Sequence, residues 1–155
     1  MQPAVLDTNI ALDLLVFADA HAAPLRAALE RRALHWLATH EMRAELARVL
    51  GYPKIAARVA HYTLTADAVL AAFDGHVRIV EAAPKAPCTC GDPDDQKFID
   101  LAVAHRALLL SKDFEVLRMR KRLAALGVSA GRAFDARITL SLAHPHPHGP
   151  HQHAA

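Results

Sequence analysis

The 155-residue chain is predicted to fold as one α/β domain, with a parallel central sheet of about four to five strands flanked by helices on both faces. Two observations carry this. Short apolar runs alternate with longer segments of helical periodicity, the pattern of a parallel sheet covered on each side. A hydrophobic content of 53% over 155 residues is enough for one core and too little for two domains. No internal repeat is visible.

Each element has its own signal. "PAVLDTN" reads as a buried strand, Ala4 to Leu6, stopping at Asp7, with a helical pattern directly after it. "APLRAALERRA" gives the next helix and "LHWLATH", residues 34 to 40, the second strand. Helix resumes through "EMRAELARVL", whose apolar stripe runs Met42, Leu46, Val49 and Leu50. Gly51 and Pro53 break it. "IAARVAHYTLTADAVLAAF" is then helical, with Thr65 as an internal cap. "HVRIVEA" is a third strand, and a proline-containing loop leads to "GDPDDQKFIDLAVAH", an acidic cluster opening a helix. "RALLLSKD" is a fourth strand ending at Asp113, "FEVLRMRKRLAAL" a single further helix closed by Gly127, and "GVSAGRAFDARITLS" a weak last edge strand.

The tail "AHPHPHGPHQHAA" is a different material. Its histidines alternate with Pro and Gly, which cannot build a core, so the domain is expected over 1–140 and a disordered His/Pro-rich tail of weak metal affinity over 141–155. No apolar stretch reaches the roughly 20 residues of a membrane span, and the N-terminus carries no basic leader, which predicts a soluble cytoplasmic protein without membrane contact. Cys88 and Cys90 are too close for a framework disulfide and are expected as reduced loop thiols. A formal charge of +2 does not by itself identify a nucleic-acid binder, although basic residues cluster in "RAALERR" and "RMRKR".

The acids are more informative. Asp7 and Asp113 each follow a buried strand, and ligands of open parallel sheets bind at the carboxyl ends of strands. The helix after the Asp92, Asp94 and Asp95 cluster runs back along the sheet, so its N-terminus belongs at the same edge. One Asp suffices to cap a helix; Asp92 and Asp94 are read as loop and cap residues, Asp95 as the ligand candidate, and Asp100 as lying on the outer face. Glu45 borders an apolar stripe, where a carboxylate needs a partner; Arg43 and Arg48 are the bland candidates. Gathered carboxylates repel one another, and a hard cation such as Mg²⁺ or Mn²⁺, which takes oxygen ligands, relieves this. Taken singly, each of these residues is more often a cap or turn residue than a ligand.

In motif order these residues resemble the PIN domain, a small α/β nuclease fold that includes VapC-type toxins of toxin–antitoxin pairs. "VLDTNI" is similar to the family's opening motif, "MRAELARVL" to the helix bearing its Glu, "DPDDQKFIDLAVA" to its third motif, and "LLLSKDFEVL" to its fourth, over about residues 4 to 125. Ser111 stands where Thr is more usual, and Glu115 where many members have a further acid. The resemblance implies a metal-dependent endoribonuclease leaving 5′-phosphate and 3′-hydroxyl ends, with Asp7, Glu45, Asp95 and Asp113 as catalytic and metal-binding acids. Thr8, Asn9 and Ser111 would orient them. An acidic pocket needs a basic rim for RNA, for which Lys97, Lys112, Arg118, Arg120 and Lys121 are candidates. A type II toxin role implies a cognate antitoxin reaching the acids with a basic side chain, and the helices around 55 to 73 offer apolar faces for a homodimer. The alternative is a PIN-like binding or scaffold module with little turnover. A haloacid dehalogenase phosphatase ranks last, because Asn9 stands where that family needs a second Asp.

Overall fold

The computed structural model describes residues 1–135; the expected tail, the last part of the weak edge strand and any metal affinity of the tail lie outside the described residues. Five strands form one all-parallel sheet in the order β3-β2-β1-β4-β5: β1 Gln2–Leu6, β2 Leu34–Ala38, β3 Val77–Ile79, β4 Leu108–Leu110 and β5 Ala130–Gly131. All three residues of β4 are buried, and neighbouring residues of a strand point to opposite faces, so both faces of the sheet are covered. Parallel strands require crossovers, and helices supply them.

Helices α1 Thr8–Leu15, α2 Ala23–Glu30, α3 His40–Leu50, α4 Pro53–His61, α5 Ala66–His76 and α6 Gln96–His105 lie between the strands. Side-chain caps set several of their starts. Asp7 accepts from the Ile10 N–H, Thr39 from Met42 and Thr65 from Ala68, which satisfies donors that a first turn leaves open. Pro53 opens α4, as a proline at the first helical position can.

The core is centred on β1, β2 and β4 with Leu12, Leu14, Leu46, Ile99 and Leu101. Trp36 and Phe73 meet edge to face at 5.1 Å inside it, and Phe98 is 3% exposed, so both residues serve packing, as their apolar contexts suggest. Cys88 and Cys90 are free thiols, and both are buried.

One element departs from its sequence signal. The single helix expected over 114–126 is two, α7 Phe114–Leu117 and α8 Arg120–Ala125, with the Met119 N–H bonded back to the Val116 carbonyl between them. The bend lets Val116, Leu117, Met119 and Leu123 all be buried. Gly127 then turns the chain at φ +84°, a conformation that costs glycine little, and leads it to β5.

Candidate metal centre

The strand order reverses at β1: β2 lies on one side of it and β4 on the other, and the crevice at the carboxyl ends of β1 and β4 is the topological switch point of the sheet. The Asp7 N–H bonds the Leu110 carbonyl at 3.0 Å, continuing the β1–β4 ladder to the point where both strands end in polar residues. Asp7 is 4% exposed. Its Oδ1 caps α1 at 2.9 Å from the Ile10 nitrogen, and its Oδ2 accepts from the Ser111 hydroxyl at 2.5 Å and the Lys112 N–H at 3.3 Å. Burial raises the pKa of this carboxyl, opposed by those hydrogen bonds and by the charge of Lys112. Ser111 also accepts from the Asp113 N–H at 3.0 Å, so one buried hydroxyl ties the two strand-end acids together.

The loop before α6 brings in the remaining acids. Gln96 accepts from the Cys90 N–H and donates to the Cys88 carbonyl, while Asp100 accepts from the Ala86 N–H and from Gln96, both at 2.8 Å. Asp100 therefore fastens this loop rather than lying on an outer face: the loop folds back over α6, and its backbone donors need an acceptor there. Gly91 lies against the Glu115 side chain, whose carboxylate would have to swing aside for any residue with a Cβ at this point. Asp92 then caps the short 3-10 turn Pro93–Asp95 through the Asp94 N–H at 3.0 Å.

Asp95, at the junction of that turn with α6, makes no side-chain cap bond. Its carboxylate points elsewhere. One oxygen each from Asp92, Asp95 and Asp113 lie within 4.8 Å of one another. Asp95 Oδ2 is buried without a hydrogen-bond partner, the one such side-chain atom among the described residues. Its pKa is pushed up to about 8, first by burial, then by the hydrogen bond and charge of Asp113, and further by Asp92 and Asp7. An orphaned oxygen among converging carboxylates fits a hard divalent cation, which takes oxygen ligands and keeps several waters.

Asp7, Asp95 and Asp113 thus share one crevice, and Asp92 joins them. Asp92 is a cap, as its sequence context suggests, but also a member of the cluster, a role that no local sequence signal announces. Glu45 is placed differently. It pairs with neither Arg43, which bonds Asp74 at 2.7 Å, nor Arg48; its Oε1 accepts from Lys97 at 2.8 Å and its Oε2 from the Thr8 hydroxyl. Thr8 therefore orients Glu45, and Ser111 orients Asp7. Asn9 is exposed on the first turn of α1, and no side-chain hydrogen bond joins it to the acids among the described residues.

The basic candidates separate in the same way. Lys97 is committed to Glu45, Lys112 pairs with Asp13 at 2.6 Å, and Arg118 reaches Glu115 at 3.4 Å. Arg120 and Lys121 are exposed on α8, where with Val128 and Ser129 they border a groove along β5.

A family model described as PIN domain matches residues 3–115, and the chain belongs to that family. PIN domains are generally nucleases that use divalent metal ions, and the carboxylate cluster at the switch point accords with that class. No curated protein matches the chain. No helix among the described residues is long and apolar enough to cross a membrane.

Proposed function

We propose that the protein is a Mg²⁺- or Mn²⁺-dependent endoribonuclease acting as the cytoplasmic toxin of a type II toxin–antitoxin pair. The observation that carries the reading is the convergence of Asp92, Asp95 and Asp113 around a buried, unpartnered Asp95 oxygen, beside Asp7. Asp92, Asp95 and Asp113 would hold the ion, with Asp7 adjoining; when bound, it supplies Lewis acidity toward the scissile phosphate and a water of lowered pKa. The residues of the chain do the rest. Ser111 and the Ile10 and Lys112 N–H groups fix the Asp7 carboxylate in one rotamer, and Ser111 aligns the backbone that presents Asp113.

Substrate approaches an acidic crevice, so cations near it are needed to draw in phosphates. A recess of about 300 Å³ beside α1 is lined by Arg132, by Lys112 in its pair with Asp13, by Asp19, and by Leu25 and Phe134 on an apolar wall, and it suits a nucleotide next to the Asp7 end of the site. Arg118 stands on the Glu115 side. The catalytic domain is assigned to residues 1–140, within which both the family match and the described residues fall. The regulator would be a protein that reaches the acids with an arginine, and the helices around 55 to 73, with Tyr52 and Tyr62 exposed at the two ends of α4, suit a second copy of the chain.

The test is cleavage of a panel of structured and single-stranded RNAs with Mg²⁺, Mn²⁺ or EDTA, by wild type, Asp7→Asn and Asp95→Asn. Metal-dependent cutting that disappears in both folded variants is expected. A folded wild type that cuts nothing on the panel with either metal overturns the ribonuclease reading.

A further inference from the structure

We propose that Lys97 permanently fills a second cation position in this site, so that the chain binds a single divalent ion at Asp92, Asp95 and Asp113; the inference rests on the metal-dependent reading above. Four acids, Asp7, Asp92, Asp95 and Asp113, interact at the carboxyl edge of the sheet, and Glu45 is tied to the same edge through Thr8, the residue after Asp7, and through Lys97; that much negative charge needs compensation from more than one side.

Their partners divide them. Both oxygens of Glu45 are engaged, one by the Lys97 ammonium at 2.8 Å and the other by the Thr8 hydroxyl. The pair is well buried, with side chains 17% and 15% exposed. The same ammonium donates to the Asp94 carbonyl at 2.5 Å, so two of its three protons are committed within the site. No lysine or arginine forms an ion pair with Asp92, Asp95 or Asp113 among the described residues, and only there does a buried carboxylate oxygen lack a partner.

Lys97 lies two residues beyond Asp95, on the first turn of α6. One helix start therefore carries an acid open to a metal ion and a fixed cation facing the opposite acid. A divalent ion at Glu45 would have to displace an ammonium already at contact distance and meet its repulsion, whereas an ion at the Asp triad displaces no protein cation. A compact ammonium on a flexible stem is suited to such a place, and it holds Glu45 at any metal concentration.

The experiment counts bound Mn²⁺ by electron paramagnetic resonance of the free ion during titration of the full chain, with folding checked by circular dichroism. Wild type and Lys97→Arg are expected to bind one ion. Lys97→Met should bind a second, weaker ion, lost again in the Lys97→Met, Glu45→Gln double variant. Two ions in wild type, or one in a folded Lys97→Met, overturn the proposal while leaving the metal reading intact; no ion in wild type overturns both. Glu45→Gln decides the matter independently should Lys97→Met fail to fold. It is expected to change affinity for the first ion by less than about threefold, whereas a loss of about tenfold or more, the usual range for altered metal-supporting residues, would overturn the proposal.

Discussion

Asp95→Asn is expected to make the metal-free protein more stable, although it removes a ligand. The folded-state pKa of Asp95 is raised from 3.8 to about 8, so between those values the folded chain keeps a proton that the unfolded chain releases. The folded state binds more protons, and stability contributed by this group therefore falls as pH rises through the window. Below about pH 4 both states are protonated and the penalty vanishes; at pH 8 most of it is present. Asp95 is only partly buried and shares its charge with Asp113, so solvent screening reduces the penalty to roughly 1–2 kcal/mol. An amide carries no charge to be penalised, and its NH₂ group can donate to the Asp113 carboxylate. The corresponding rise in Tm is about 3–6 °C at pH 8 in EDTA, shrinking to nothing near pH 4. Thermal unfolding of wild type and variant at both pH values measures it. Destabilisation at pH 8, or a difference independent of pH, would refute the electrostatic account of the crevice.

Two further outcomes follow from the same geometry. Ser111→Ala removes a fully buried hydroxyl that donates to Asp7 and accepts from the Asp113 N–H; urea unfolding at neutral pH should show a loss of about 1.5–3 kcal/mol, because the hydrogen bond involves a charged group. The Asp7 pKa should rise further, as a bond that lowers it is gone, and Ser111→Thr should restore much of both. For Arg118→Ala, log-log plots of affinity against salt for a non-cleaved single-stranded RNA, measured with Asp95→Asn as background, should lose about 0.7 from the slope, the value of one phosphate contact; an unchanged slope would remove Arg118 from the rim.

The sheet was legible because buried parallel strands leave continuous apolar runs such as "HWLA" and "LLL", and Thr65 marks a helix start chemically; Pro53, which reads as a breaker, also opens the next helix. The placement of Asp7 and Asp113 followed from the same signal, since a polar residue ending a buried strand must lie at the sheet edge. Illegible features depend on contacts between distant residues or on subtle bends. Lys97 meets Glu45 across 52 positions, and neither residue's neighbours announce the other. Asp92 reads as a turn residue because it is one; only the fastening of its loop by Gln96 and Asp100 aims it at Asp95. The break between α7 and α8 has no glycine or proline to mark it and arises from the need to bury residues on both sides of Arg118.

The bond between Ser111 and Asp7 spans 104 positions, so the strand that leads to Asp7 is made long before its partner β4. Such long-range pairing is slow to form and gains nothing until the late segment arrives. During synthesis the early acids, Asp7 and Glu45, accordingly emerge without the triad. A nascent or prematurely released chain ending before residue 113 lacks one acid of the cluster, so any activity of this crevice waits until that residue has been made and folded into place.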